Sequence, residues 1–132
     1  MFGLDILYLL SRGAFELAIR ILFKIKIEGT ENLPEAPYIV ASNHTSLLDP
    51  PLVGIACKGN TVHFMVKQEL YDIPVIGYWT RNVACIAVRR GDNSIKGLRE
   101  TVRRIKAGNV IGIFPEGTRS VDGSFQEAKT GT

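Results

Sequence analysis

At 132 residues, 45% of them hydrophobic and 22% charged, the chain has the length and apolar content of one globular domain, which excludes a disordered polypeptide. The formal net charge is only +3, but between Arg81 and Lys106 eight basic residues face just Asp92 and Glu100. Such a cluster suits phosphate groups on a small substrate, a membrane surface or a nucleic acid, and suits a solvated helix face equally well.

Residues 1–26 are rich in Leu, Ile and Phe, yet Asp5, Arg12, Glu16, Arg20, Lys24 and Lys26 interrupt them, so no uncharged stretch is long enough to span a bilayer. Arg12, Glu16, Arg20 and Lys24 recur every fourth residue, leaving an apolar surface around the rest of a helix. This pattern predicts an amphipathic, membrane-interfacial helix, or a helix pair broken near Ser11 to Gly13; packing against the domain's own core is the alternative. Lys24–Glu28 reads as a short strand. Tyr38–Ala41 reads as a buried strand that delivers Asn43 and His44, followed by a helix over 50–57, a strand over 61–66 and a short helix near Gln68–Tyr71. Val83–Val88 reads as the next strand. Asp92, Asn93 or Ser94 can cap a helix that runs to about Ala107, with Ile95, Leu98, Val102 and Ile105 stepping by three and four. Gly108 ends it, and Val110–Phe114 is strand again. Strands alternating with helices predict an α/β fold with a mostly parallel central sheet flanked by helices, whose functional residues gather at strand ends.

Cys57 and Cys85 sit in apolar settings, which predicts buried thiols in a reducing compartment. With two histidines and no second cysteine at ligand spacing, no metal site is expected, and His63 reads as a core or strand-face histidine. There is no phosphate-loop or dinucleotide fingerprint, so no nucleotide cofactor is indicated. The basic helix lacks interleaved aromatic residues, and nucleic acid is not expected as a partner.

Two blocks carry chemistry. In Asn43-His-Thr-Ser-Leu-Leu-Asp-Pro50, His44 and Asp49 are an imidazole and a carboxylate five positions apart. On a regular helix that offset keeps them apart, but Pro50 and Pro51 favour a turn or helix entry at Asp49, where the two can meet as a base and its orienting partner. The competing reading is a helix cap and a loop histidine. In Phe114-Pro-Glu-Gly-Thr-Arg-Ser120, Gly117 permits backbone conformations that turn amides toward an anion, and Arg119 is a forked donor suited to phosphate. Glu116 fits substrate hydroxyls or a neighbouring arginine better than it fits phosphate. His44, Arg89, Arg90 and Glu116 all fall just after predicted strands.

These blocks, with Val88-Arg89-Arg90 between them, resemble the glycerolipid acyltransferase family. The resemblance runs from about Ile27 to the last residue and includes Glu31-Asn-Leu-Pro34 and Lys67-Gln-Glu-Leu70. It implies an O-acyltransferase of phospholipid biosynthesis. The fatty acyl group would pass from acyl-coenzyme A or acyl carrier protein, as co-substrate, to the free hydroxyl of a lysophosphatidate, without a further cofactor. His44 would be the general base and Asp49 its orienting partner. The implied phosphate and glycerol ligands are Arg89, Arg90, Glu116, Gly117, Thr118 and Arg119, with Arg89 standing where an acidic residue is more usual. With the amphipathic pattern of the first 26 residues, the organisation expected is a membrane-anchoring segment over 1–26 and the N-terminal part of an acyltransferase domain over 27–132, membrane-associated at the cytoplasmic face. Glycerol 3-phosphate or another lysophospholipid as acceptor, and a non-catalytic membrane-surface phospholipid-binding protein, are the alternatives.

Relatives in that family continue past the point matched by Thr132, so an incomplete sheet is expected, and with it low stability or inactivity of the 132 residues alone. Full-rate acyl transfer by the isolated chain would overturn this expectation.

Overall fold

Strand formation follows the apolar runs. Ile39–Ala41 (β1), Val62–Lys67 (β2), Ile86–Val88 (β3) and Val110–Ile113 (β4) are short, rich in Val and Ile, and bounded by turns. The structure, a computed structural model, describes residues 2–57, 59–89 and 94–129. The strands form one sheet in the order β1-β4-β2-β3, and all three pairings are parallel. In register, Ile39 lies opposite Ile111, Val62 opposite Val110, and Met65 opposite Ile86. A parallel sheet sends every strand's carboxyl end to the same edge, so the segments after β1, β2, β3 and β4 meet on one side of the molecule.

Among the described residues four α-helices accompany the sheet: Phe2–Leu22 (α1), Asp49–Ala56 (α2), Pro74–Asn82 (α3) and Ser94–Lys106 (α4), with short 3₁₀ turns over Thr30–Asn32 and Gln68–Asp72. Cys57, Val62, Phe64 and Val110 form a buried cluster, with Tyr38, Val40, Val53 and Phe114 packed against it. On β2 the alternation places Val62 and Phe64 in this cluster, while His63 and Met65 face the other side, half-buried.

Of the two readings of residues 1–26, the single helix is the one found, and several other elements differ from the sequence reading. In α1, Gly13 costs roughly 1 kcal/mol relative to alanine, but docking of the same segment offsets it. The Tyr8 hydroxyl accepts from the buried Val62 N–H at 3.0 Å, the Trp79 indole N–H donates to Ser11 Oγ at 2.9 Å, and Phe15 meets Trp79 with ring centroids 6.3 Å apart. Lys24–Glu28 is not a strand, for it pairs with no neighbour in the sheet. The strand expected over Tyr38–Ala41 is Ile39–Ala41, and it is an edge strand with Ile39 and Ala41 exposed. The strand expected from Val83 starts at Ile86, because Ala84 takes a φ of 64° and turns the chain. Cys57 is buried as expected, whereas Cys85 is only half-buried.

Helix α3 was not anticipated. Pro74 occupies its first turn, where a missing N–H is harmless, and Gly77 and Thr80 form its buried side. Gly77 is required by contact: a Cβ there would lie 2.1 Å from the Tyr71 carbonyl oxygen. Helix α4 exists as read, but it presents Gly97 and Thr101 to the sheet and leaves Ile95, Leu98 and Val102 exposed. The reason is close approach, since Gly97 packs against the Val88 side chain with no space for a Cβ. The candidate caps Asp92 and Asn93 lie outside the described residues.

The Tyr8 to Val62 hydrogen bond is the polar link between α1 and the sheet. Tyr8→Phe leaves a buried N–H without its acceptor and is expected to cost about 1–3 kcal/mol. Urea unfolding of the two proteins measures it; equal midpoints would show that the N–H finds another partner.

Candidate active site

The ladder between β1 and β4 extends one residue beyond β1, the Ser42 N–H donating to the Ile113 carbonyl at 3.1 Å, before the chain turns through Asn43 and His44. The turn is wound around one carboxylate oxygen. Asp49 Oδ2 lies 2.8 Å from His44 Nδ1 and accepts the N–H of Thr45 at 2.6 Å and that of Ser46 at 2.7 Å. Asp49 is the first residue of α2, followed by Pro50 and Pro51, whose missing N–H groups fall where a helix has no internal acceptor for them. Its side chain caps nothing within α2; it reaches back to the loop. The helix-cap alternative for Asp49 is therefore displaced by direct contact with His44.

Burial by itself pushes the Asp49 carboxyl up, but the hydrogen bonds from Ser46, the His44 ring and Thr45 together outweigh it and hold the group below its ordinary value. An ionised carboxylate can only accept. In the neutral ring Nδ1 must therefore be the protonated nitrogen, and Nε2 carries the lone pair. The His44 and Asp49 side chains are 19% and 15% exposed, so the pair is sheltered but reachable.

The loop after β4 closes on this turn. The Ser120 N–H donates to the His44 carbonyl at 2.7 Å, the Gly117 N–H donates to the Phe114 carbonyl at 2.9 Å, and Gly117 takes a φ of 65°, which favours glycine. The Lys129 N–H donates to the Pro115 carbonyl at 3.0 Å, and the Lys129 side chain lies over Gly117. The Phe114 ring stacks on the His44 ring, centroids 4.2 Å apart. Glu116 is only 5% exposed, and its Oε2 has no hydrogen-bond partner among the described residues. A buried carboxylate oxygen in that condition is costly, and a hydroxyl donor reaching it would relieve the cost. Glu116 also borders a concavity of about 250 Å³ together with Ser42, Asn43 and Pro115. Gly117, Thr118 and Arg119 are exposed on the same loop.

Arg89 is exposed just past β3, where it lines a second concavity of about 290 Å³ with Gln68, Ala87 and Lys96. The sheet order places this concavity at the β2 and β3 ends and the histidine at the β1 and β4 ends, along the same edge. Arg90 lies outside the described residues. Sequence reasoning did not single out Gln68 or Lys96; the only signal was their membership of a quoted block and of the basic cluster. It also counted Arg104 in that cluster, whereas Arg104 turns inward. It donates to the Ala84 and Cys85 carbonyls and contacts His63 Nδ1. Arg103 and Arg104 both bond Glu100, whose carboxyl is pulled down to about 2, chiefly by Arg103. Among the described residues no group of His, Cys, Asp and Glu is arranged to hold a metal ion.

A family model described as Acyltransferase matches residues 24–132. A chloroplastic 1-acyl-sn-glycerol-3-phosphate acyltransferase of Arabidopsis thaliana is 34% identical over 83% of this chain and 31% of its own length. A 1-acyl-sn-glycerol-3-phosphate acyltransferase of Bacillus subtilis is 25% identical over 86% of this chain and 58% of its own length. The crystal structure of the 1-acyl-sn-glycerophosphate acyltransferase PlsC from Thermotoga maritima superposes with a TM-score of 0.74 at 31% identity, covering 96% of this chain and 49% of that one. The chain thus spans about a third to somewhat over half the length of these relatives.

Because its native carboxyl is held below the ordinary value, Asp49 stabilises the fold fully above the ordinary carboxylate range and loses that contribution as pH falls through the native value. Asp49→Ala is expected to cost about 1–3 kcal/mol at neutral pH and progressively less below about pH 4. Denaturant titrations of both proteins at pH 7 and pH 3 decide this; an equal difference at both values would contradict it.

Proposed function

The chain belongs to the acyltransferase family, and from that premise we propose that it forms the hydroxyl-activating part of an enzyme that transfers a fatty acyl group to a lysophosphatidate. The acceptor is the free sn-2 hydroxyl of 1-acylglycerol 3-phosphate and the product is phosphatidic acid. The relatives' names support this choice of acceptor. The donor is the thioester of coenzyme A or of acyl carrier protein, and no cofactor enters the scheme.

The observation that carries the reading is the His44 Nδ1 to Asp49 contact of 2.8 Å, which leaves Nε2 as the proton acceptor. Nε2 takes the proton of the hydroxyl as its oxygen attacks the thioester carbonyl. The carbon–sulfur bond breaks, and the departing thiolate takes the proton back from the imidazolium. Asp49 keeps the ring in the required tautomer and offsets the positive charge it acquires. Direct transfer needs no enzyme nucleophile, in keeping with Cys57, which is buried and whose thiol is pushed up by burial. Glu116 would accept a glycerol hydroxyl, a role that its unpartnered Oε2 supports, and Arg119, Arg89 and Arg90 would supply charge for the phosphate.

Membrane contact belongs to the same proposal. Leu10, Leu17, Ile21 and Leu22 of α1 are exposed, as are Val75 and Tyr78 of α3, although no helix among the described residues is long and apolar enough to cross a bilayer. An interfacial helix of this kind would bring the site to a lipid acceptor that resides in the membrane.

The full-length enzyme, given acyl-coenzyme A and lysophosphatidate in mixed micelles, should release free thiol and form phosphatidic acid. His44→Ala should lower turnover by roughly 10² to 10⁴. A folded variant that kept the wild-type rate would remove His44 from the chemistry.

A further inference from the structure

Three aromatic rings run from the site into the core as one stack. His44 lies over Phe114 with centroids 4.2 Å apart and planes 19° apart, and Phe114 lies over Phe64 at 5.8 Å and 13°. Phe64 rests on Gly112 of β4, where a Cβ would fall 2.3 Å from the ring atom Cε1. Phe64 belongs to the buried cluster and Phe114 packs against it. The plane of the outermost ring is thus referred, through two further rings, to the backbone of a central strand.

The hydrogen bond to Asp49 fixes one atom of the His44 ring. It leaves the ring free to tilt about that point, and the second side-chain torsion of histidine has broad wells that do little to prevent it. A flat face in contact removes that freedom. We infer that Phe114 is a positioning residue for His44: it sets the plane of the imidazole, and hence the direction of Nε2, while Phe64 seated on Gly112 backs it. The same face presents its negative quadrupole to the ring when the imidazole takes up a proton. The consequence for catalysis rests on the acyl-transfer reading; the ordering of the ring does not.

A purely space-filling role for Phe114 makes different predictions. Phe114→Leu keeps apolar volume but loses the plane, and Phe114→Tyr keeps the plane. In the full-length enzyme Phe114→Leu should lower kcat by about ten- to a hundred-fold, the scale on which small misplacements of reacting groups act, with the KM for lysophosphatidate changed by less than about two-fold. Phe114→Tyr should restore most of kcat. Unchanged kcat in the leucine variant, a tyrosine variant as slow as leucine, or a loss confined to KM would each overturn the inference. Should Phe114→Leu fail to fold, Phe64→Leu, which removes the ring stacked behind Phe114, should lower kcat several-fold at constant KM; an unchanged kcat there overturns it too.

In the same full-length enzyme with isotope-labelled histidine, the ring signals of His44 and His63 are identified by their loss in His44→Gln and His63→Gln. In Phe114→Leu the order parameter of the His44 ring should fall as the ring samples several tilts on the ps–ns timescale, while that of His63 stays unchanged. An unchanged His44 ring order parameter in that variant would refute the inference whatever the activity. If the signals respond as expected but the wild-type enzyme transfers no acyl group, the positioning role holds and the acyl-transfer reading fails.

Discussion

The oxygen Oδ2 of Asp49 is the point on which the site depends. One atom receives three donors, the ring of His44 and the amides of Thr45 and Ser46, and so folds residues 44–49 into a turn that no regular element would produce. The same contact determines which nitrogen of His44 holds the proton. It also settles how a carboxylate and an imidazole five residues apart can meet, since on a continuous helix that offset would separate them. The two prolines after Asp49 complete the arrangement by starting a helix where their lack of N–H groups does no harm.

The all-parallel sheet then converts this local turn into a site. With every strand running the same way, the turn after β1 and the loop after β4 are neighbours because their strands are hydrogen-bonded, and the Ser120 to His44 bond ties them together. The Arg89 concavity sits along the same edge, two strands from β4, or about 10 Å at the usual strand spacing. Histidine, buried carboxylate and arginine therefore occupy successive places along one line.

Much of this was legible in the sequence, for reasons that can be stated. β2 and β4 are read correctly within a residue or so because Val62–Lys67 and Val110–Ile113 are apolar runs bounded by turn residues, and helix α4 because its apolar residues step by three and four. His44 and Asp49 were visible as a pair, and the prolines pointed to the break that lets them touch. What was hidden depends on tertiary contact. The apolar stripe of α4 predicts which side should be buried, yet Gly97 and Thr101 face the sheet because only a side without bulk can approach Val88 so closely. Arg104 counts as a surface cation in any tally of charge, and only the fold shows it holding the Ala84 and Cys85 carbonyls. Helix α3 is short and made largely of β-branched, aromatic and glycine residues, which have low helix propensity, and only its packing of Gly77 against Tyr71 fixes it as a helix. Lys24–Glu28 has strand-like residues but no strand beside it.

The burial of Glu116 has to be understood together with the pairing of Asp49. Both carboxylates are largely withdrawn from water beside the same loop, yet one is surrounded by donors and the other has an oxygen with none among the described residues. A withdrawn carboxylate that lacks donors weakens the fold, and the rest of the structure must carry that cost. It is carried here by apolar contacts directly behind the loop, where Phe114 packs against the cluster of Cys57, Val62, Phe64 and Val110. The residue that precedes Pro115 and Glu116 thus anchors the loop in the core while its ring meets His44. Stability is supplied on the core side of the loop, and Glu116, the residue with unsatisfied hydrogen-bonding capacity, also borders the concavity. That division allows one short block after β4 to be both a structural clasp and a surface suited to polar ligands.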